Sequence, residues 1–318
     1  MQFQDRDSRL LMTIFENDGV LAKRHVKALF WPGKSWRAME QRLAKLYQAG
    51  YIRWPDNRQQ KNNPIPEPIC WLGWKGALFV AGTSGIVVEP PKSEKENQLR
   101  LLQKRLREQS LRWVREPRWS LLAHDLAVID FRLAVERSVR ELPAYTLEKW
   151  ILEGDFRSNM DVVEFNAPNS EGRTVRMKRG VCPDAYFEIV NEELRANGKP
   201  HKARFLLEMD MATHDNPGFG KYKALPGVAY IKSAAYKERF GNNHGLWLVV
   251  TSGGQRRMMN LMKQTEERVG EDAKFFYFTS LAKAMSENFL LASIWNQAGS
   301  SPPVALVRNH EQERFLRR

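Results

Sequence analysis

One segment near the middle of the chain constrains the fold more than any other. Residues 203–211 read ARFLLEMDM, and from Phe205 onward the only polar side chains are those of Glu208 and Asp210. Alternate residues of a strand face the same side, so the two carboxylates share one face. Charge buried in a sheet must be paired or must bind a cation. The segment therefore predicts a strand that carries a polar site.

A second predicted strand, residues 181–190, brings another acid to the same region. Within its sequence VCPDAYFEIV, Asp184 directly follows Pro183. If the two strands pair, Asp184, Glu208 and Asp210 converge at one end of a sheet, and Lys221 enters from the next element. Clusters of oxygen donors suit Mg²⁺ or Mn²⁺, ions that activate water against a phosphodiester. The pattern indicates either a metal-dependent site or a scaffold whose acids pair with nearby Arg and Lys.

These segments resemble a known family. The pattern PDAYFEI, FLLEMDMAT and KYK resembles the replication-relaxation family of mobile elements, and its core is similar to the PD-(D/E)xK nuclease superfamily. The resemblance runs over roughly residues 6–295 and implies a winged helix joined to a nuclease-like domain. It implies Asp184 and Glu208 as metal ligands, with Asp210 binding a second ion or orienting water. The superfamily places a catalytic lysine at the position of Asp210, so Lys221 or Lys223 would replace it.

The resemblance also implies an acid from a helix that precedes the first core strand. Residues 120–142 predict that helix, and its candidate acids are Asp125 and Glu136. The sequence HDLA around Asp125 is similar to the family's helix signature, which favours Asp125. Capping, or an ion pair with Arg132 or Arg137, is the alternative role for either acid.

Residues 1–90 predict a winged helix DNA-binding domain. Helices are expected at 7–16, 21–30 and 35–49, followed by a hairpin of residues 51–54 and 69–72 with a basic tip. The third helix would enter the major groove, and the hairpin would reach phosphate or the minor groove. Docking to a protein and a simply solvated charged face remain alternatives. The predicted DNA contacts are Lys34, Trp36, Arg37, Gln41 and Arg42 on the helix, and Arg53, Arg58 and Lys61 in the hairpin.

The remaining chain divides into three predicted parts. Residues 91–118 form a basic helical linker, helical over 94–115, that lies along phosphate, packs on the second domain or forms a dimer coil. Residues 119–297 form the PD-(D/E)xK-like core, a mixed α/β sheet of restriction-endonuclease type flanked by helices. Its strands are expected at 145–152, 173–178, 181–190, 203–211, 245–251 and 275–279, the last two parallel. Pro226-Gly227 is expected to kink or break a helical segment, and residues 298–318 form a charged tail.

The composition of the chain limits which partners and cofactors are expected. The chain of 318 residues carries a formal net charge of +13, which favours DNA as partner. Its two cysteines form no CxxC or Cys/His cluster and no Walker motif occurs, so we expect no zinc and no ATP. Reduced thiols and the lack of a long apolar stretch predict a cytoplasmic protein without membrane contact.

The sequence therefore predicts a DNA-binding protein of a mobile element with a nuclease-like domain. That domain is either an Mg²⁺- or Mn²⁺-dependent endonuclease or an inactive scaffold. In the inactive case the protein is an accessory or regulatory factor in plasmid or phage replication or transfer, or an adaptor in a larger nucleoprotein complex. Other proteins of such a complex and a second copy of the chain are further candidate partners.

Overall fold

The computed structural model describes residues 2–168, 171, 173–213, 218–300 and 302–307. The chain forms two compact units that divide between Ile129 and Asp130. The predicted C-terminal tail lies outside the described residues from position 308 onward.

The first unit combines helices with a small antiparallel sheet. Its three strands have the order β1–β3–β2, with Leu21 opposite Cys70 and Ile52 opposite Leu72. Apolar residues at helical spacing, such as Leu10, Ile14 and Leu43, are fully buried. In chain order the elements are α1 (Asp5–Glu16), β1 (Val20–Ala22), α2 (Lys23–Phe30), α3 (Trp36–Gln48), β2 (Ile52–Arg53), α4 (Asn57–Asn62), β3 (Ile69–Leu72), α5 (Trp74–Thr83) and α6 (Glu96–Glu108).

Two details of this unit differ from the sequence prediction. The helix expected from residue 21 begins at Lys23, because residues 20–22 pair with β3 as a strand. The tip of the hairpin, expected to be a turn, contains the short helix α4. Its start is fixed by Asp56, whose carboxylate accepts a hydrogen bond of 2.7 Å from the Gln59 amide.

The predicted linker packs on the first unit. Its helix α6 ends at Glu108 instead of continuing to residue 115, since Ser110 has a left-handed φ of 61° that turns the chain. The Trp113 indole then donates to the Leu72 carbonyl at 3.1 Å, and the Trp71 indole donates to the Arg115 carbonyl at 2.9 Å. Residues 109–115 therefore lie against β3.

The second unit is built on a six-stranded mixed sheet of order β11–β10–β9–β8–β7–β4. Strands β4, β7 and β8 are antiparallel neighbours, whereas β8, β9 and β10 run parallel, as predicted for β9 and β10. A separate hairpin pairs β5 with β6. The elements are α7 (Leu122–Arg140), which contains the division, β4 (Tyr145–Leu152), α8 (Glu153–Ser158), β5 (Asp161–Pro168), β6 (Thr174–Val181), β7 (Ala185–Asn191), α9 (Glu192–Ala196), β8 (Lys202–Asp210), α10 (Leu225–Ile231), α11 (Ala234–Phe240), β9 (Leu246–Thr251), α12 (Gly254–Val269), β10 (Phe276–Ser280), α13 (Leu281–Ser286) and β11 (Asn296–Gln297).

Both faces of this sheet are buried, which explains the continuous apolar runs of its central strands. On one face Phe187 packs against Phe131 and Phe289, with ring centroids 6.1 and 6.3 Å away. On the other face Tyr186 stacks on Phe240 of α11 at 3.9 Å. Alternation along β7 thus divides its side chains between two layers of helices.

The helical segment between β8 and β9 breaks at a different place from the one predicted. Pro226 lies in the first turn of α10, where its missing N–H costs no hydrogen bond. The break falls at Ser233, whose hydroxyl accepts from the Tyr236 amide at 3.0 Å and caps α11. Before α10 the chain forms a π-helical turn, Gly220–Ala224. A Cβ on Gly220 would lie 2.3 Å from the Gln264 carbonyl of α12, so only glycine allows this close approach.

Candidate functional site

The ends of β7 and β8 bring two of the predicted acids together. Ala185 pairs with Leu207 in the antiparallel register, so the next pair outward is Asp184 and Glu208, on one face of the sheet. The Asp184 amide donates to the Leu207 carbonyl at 2.9 Å, and its carboxylate accepts from the Met209 amide at 2.7 Å. These two backbone contacts fix the direction of a buried carboxylate.

Asp184 and Glu208 line one cavity of about 290 Å³. Three carboxylates and three cations surround it, together with apolar and aromatic side chains. Such a concave site with convergent charged groups is the usual form of a site for a charged ligand. The lining consists of Glu153, Asp184 and Glu208, of Arg157, Arg179 and Lys223, and of Met160, Gly180, Val181, Cys182, Tyr222, Pro226 and Trp247.

The lysine at this cavity is Lys223 and not Lys221, the residue that the sequence favoured. The Lys223 Nζ lies 2.7 and 2.8 Å from the two Glu208 carboxylate oxygens. The Lys221 Nζ instead lies 5.6 Å from the centre of the Tyr222 ring. Burial by itself would lower the pKa of Lys223, but the charges of Glu208 and Asp184 outweigh it and raise the pKa to about 12. Lys223 is therefore a permanent cation at neutral pH.

Glu153 is a cavity residue that the sequence reasoning missed. Leu152, the last residue of β4, pairs with Ala185 of β7, so Glu153 follows at the sheet end that carries Asp184. It is buried and accepts from the Arg157 guanidinium at 2.8 and 2.5 Å. The available signal was a glutamate directly after the predicted strand 145–152.

Asp210 does not belong to the lining of this cavity. Its carboxylate accepts from the Arg257 guanidinium at 2.9 and 3.0 Å and from the Thr251 hydroxyl at 2.6 Å. It lies two residues further along β8 than Glu208, at the strand end, where the first turn of α12 supplies the arginine. The expected convergence of three acids thus reduces to Asp184 and Glu208, with Glu153 as the third cavity carboxylate.

The two helix acids both have arginine partners. Asp125, in the first unit, forms an ion pair with Arg118, with one contact of 3.1 Å. Glu136 accepts from Arg132 at 2.9 Å. The Glu136 contact is the expected ion-pair alternative with Arg132, whereas Asp125 pairs with Arg118, a partner that the sequence analysis did not name.

The cavity carboxylates are oxygen donors of the kind that bind Mg²⁺ or Mn²⁺. Among the described residues, no group of three or more His, Cys, Asp or Glu side chains is arranged to hold a metal ion. Mg²⁺ commonly uses only one or two carboxylates, and waters and substrate phosphates complete its shell. The carboxylate oxygens of Asp184 and Glu208 supply the two ligands that such a Mg²⁺ site requires.

The predicted DNA contacts on the first unit are largely exposed. Lys34, Trp36, Arg37 and Gln41 lie at the exposed leading end of α3, and Trp36 is 49% exposed. In the hairpin, Arg58 and Lys61 are exposed on α4. The Arg53 guanidinium donates a hydrogen bond of 2.5 Å to the Glu94 carboxylate, so its side chain is paired within the unit.

Arg42 has a structural partner. Its guanidinium forms an ion pair with the fully buried Asp7, including one contact of 2.8 Å, and donates to the Gln2 carbonyl at 2.9 Å. The hydrogen bond with Asp7 raises the pKa of Arg42. The pair joins α3 to α1, so the Arg42 side chain has a structural role within the unit and does not contact a DNA groove in this arrangement.

The thiol of Cys182, in the cavity wall, is expected to react slowly with alkylating reagents. Burial, and then the nearby Glu153 charge, raise the pKa of its thiol well above the ordinary value, to about 11. The raised pKa lowers the thiolate fraction at pH 8 about 100-fold. Alkylation by iodoacetamide, followed by peptide mass spectrometry, should therefore be about 100-fold slower than for a model thiol at pH 8 and should accelerate toward pH 11. Labelling of Cys182 at an ordinary rate at pH 8 would contradict this environment.

The family model described as replication-relaxation matches residues 12–237. That span begins in α1, ends in α11 and includes Asp184, Glu208 and Lys223. The chain belongs to the replication-relaxation family, and membership indicates a role in the replication or relaxation of mobile elements. Comparisons with curated proteins and with solved structures gave no significant match. None of the helices in the described ranges combines the length and the hydropathy that a membrane span requires.

Proposed function

We propose that this chain is a DNA-binding protein of a mobile element, with a winged helix in the first unit and a metal-dependent phosphodiesterase site in the second. The observation that carries the proposal is the single cavity shared by Asp184, Glu208 and Lys223. Two carboxylates and a fixed cation are the groups that hydrolysis of a phosphodiester needs.

The order of elements in the first unit supports the winged helix. Three helices are interleaved with a three-stranded antiparallel sheet, and the last two strands enclose the basic tip that contains α4. In such a domain α3 enters the major groove by its leading half. Arg37 and Gln41 occupy that half, Lys34 lies just before the helix, and all three are exposed.

Replacing Arg37 with alanine is expected to weaken binding of duplex DNA. An exposed cation that contacts phosphate releases about one counterion, so the slope of log affinity against log salt should fall by about 1. Fluorescence anisotropy with a labelled duplex at several salt concentrations measures both quantities. Arg42→Ala is unsuitable here, because it breaks the ion pair with Asp7.

Lys104→Ala is the matched control for Arg37. Lys104 lies on α6 and is 74% exposed. Its replacement by alanine removes the same charge from the same unit. We expect a smaller loss of affinity for Lys104→Ala than for Arg37→Ala. Equal losses of affinity would show that DNA binding depends on the overall positive charge of the unit. They would contradict the proposal that α3 enters the major groove. They would also favour the alternative that α6 lies along phosphate.

The second unit supports a PD-(D/E)xK-like core. Three antiparallel strands, β4, β7 and β8, are followed by helices and by the parallel strand β9. Asp184 directly precedes β7 and Glu208 lies near the end of β8, so the strands deliver both carboxylates to one sheet end. Asp184 and Glu208 would hold Mg²⁺ or Mn²⁺, which when bound supplies an activated water and polarises the phosphoryl oxygens. Lys223 lies where it stabilises the negative charge that develops at phosphorus.

Lys223→Gln is expected to slow nicking of supercoiled plasmid about 100-fold, the effect of losing one well-placed electrostatic group. Lys221→Gln removes the same charge two residues earlier, and we expect a much smaller change in rate. Single-turnover assays with saturating protein separate the chemical step from binding. If both variants lose activity equally, the assignment of the lysine to position 223 is wrong.

A second candidate function is binding of DNA without hydrolysis. The observation that favours it is ion pairing of the acids: Glu208 with Lys223, Glu153 with Arg157, and Asp210 with Arg257. A scaffold that retained the fold but not the reaction would keep its acids neutralised in this way. Such a protein would act as an accessory factor or as an adaptor within a nucleoprotein complex. It would bind DNA and leave plasmid intact with every divalent metal.

A further inference from the structure

An exposed aromatic side chain lies at the rim of the cavity between two cations. Tyr222 is 46% exposed, although it also lines the cavity. The Arg179 guanidinium carbon lies 5.0 Å from the centre of its ring, and the Lys221 Nζ lies 5.6 Å away.

The local sequence holds this ring at the surface. Tyr222 belongs to the π-helical turn, and its amide donates to the Gly218 carbonyl at 2.7 Å. The ring packs directly over Gly218, where a Cβ would lie 2.4 Å from its Cδ2 atom. Glycine at 218 thus leaves the space that the ring occupies.

The rest of the rim complements the ring. Met160, 45% exposed, packs over Gly180, where a Cβ would lie 2.2 Å from the Met160 sulfur. Besides Arg179, the same lining contains Arg157 and Lys223, each of which is also paired with a cavity carboxylate, Glu153 and Glu208 respectively. Aromatic and apolar surface beside closely spaced cations is typical of sites where bases stack and the phosphate backbone follows.

The volume of the cavity indicates what can fit inside it. About 290 Å³ lies at the small end of ligand sites and is far below the space that a duplex needs. A single nucleotide is of the right size. A base enters such a pocket only if its nucleotide is unpaired or pulled from its helix.

We propose that the cavity receives one unpaired nucleotide of a single-stranded DNA segment, with the base against the Tyr222 and Arg179 side chains and its phosphate toward Lys223 and Arg157. The inference rests on the proposed function for the choice of DNA and names the substrate class of that same site. The first unit then binds duplex, and the second unit takes the unpaired strand.

The test measures binding of a labelled oligothymidylate of about 20 nucleotides, a length that covers at least one ordinary single-strand site. EDTA prevents hydrolysis, and excess unlabelled duplex saturates duplex-binding sites. We expect Tyr222→Ala to lower the single-strand affinity about 5- to 100-fold, the effect of one lost stacking partner. Tyr222→Phe keeps the ring and should bind as wild type does. Met259→Ala, which truncates an exposed apolar residue of α12 outside the cavity, is the matched control.

Photocrosslinking provides a second readout that does not depend on affinity. An oligonucleotide with 5-iododeoxyuridine should crosslink to Tyr222 when single-stranded, as identified by mass spectrometry of the joined peptide, and not when the same base is paired. Gly218→Ala, which displaces the ring, should lower the crosslink yield. Thermal melting of each variant shows whether it is folded.

Several results would overturn the inference. Equal affinities for Tyr222→Ala and Met259→Ala would do so, and so would an equal loss of duplex and single-strand binding, or a crosslink elsewhere in the chain. Because the assay contains EDTA, its outcome is independent of hydrolysis. If plasmid is never cut but Tyr222-dependent binding persists, the hydrolase proposal fails and this one stands.

Discussion

Asp184→Asn is expected to slow plasmid nicking about 1,000-fold, the upper end of the loss for one charged group in a preorganised site. Asparagine keeps the shape and can still accept from the Met209 amide, the contact that orients Asp184 at 2.7 Å. It removes the negative charge that would hold Mg²⁺ or Mn²⁺. The strand register should therefore survive while the reaction is lost. Single-turnover nicking rates, with duplex affinity measured in parallel, test this expectation.

Asp210→Asn is the control for Asp184→Asn. Asp210 carries the same charge on the neighbouring strand, but its partners are Arg257 and Thr251, and it lies outside the cavity lining. We expect its nicking rate to stay close to wild type, with a lower melting temperature because Arg257 loses its counter-charge. If Asp210→Asn lowered the nicking rate as much as Asp184→Asn does, Asp210 would have to be counted among the residues of the site.

Asp7→Ala is expected to lower the free energy of unfolding by about 3–5 kcal/mol, the usual cost of breaking a buried ion pair from one side. Asp7 is fully buried and Arg42 is 13% exposed, so the remaining guanidinium cannot be well solvated. The substitution also removes the acceptor for the Gln4 amide, 2.8 Å away, at the start of α1. Urea denaturation followed by circular dichroism measures the loss.

Asp5→Ala provides the comparison. Asp5 lies in the same first turn but is exposed, so only its interaction with the helix dipole is lost, about 0.3–1 kcal/mol. Asp7→Ala combined with Arg42→Met should recover part of the stability, because no charge is then left buried. A cost for Asp7→Ala no greater than that for Asp5→Ala would show that the ion pair does not join α1 to α3.

Much of the candidate site follows from local patterns. The alternation in residues 203–211 determines which side chains of β8 share a face, and residues 185–190, apolar except for Glu188, favour the pairing of β7 with it. Asp184 and Glu208 meet for that reason alone. The parallel arrangement of β9 and β10 follows equally from the helix between them.

Other features depend on contacts that the sequence does not encode locally. The choice of Lys223 over Lys221 depends on a π-helical turn, whose wider spacing changes which side chain faces β8. Glu153 reaches the cavity because β4 pairs with β7 across an inserted hairpin. Arg42 looked like a groove residue because its buried partner, Asp7, lies on a different helix. Each difference arises where packing between distant segments overrides a local pattern.

The most direct measurement is the fate of supercoiled plasmid incubated with the wild-type chain in Mg²⁺ or Mn²⁺, with EDTA alongside. We expect conversion to nicked or linear DNA that requires the divalent ion, because Asp184, Glu208 and Lys223 share one cavity. Plasmid that is bound but stays supercoiled in both metals would contradict the hydrolytic site and leave a DNA-binding scaffold.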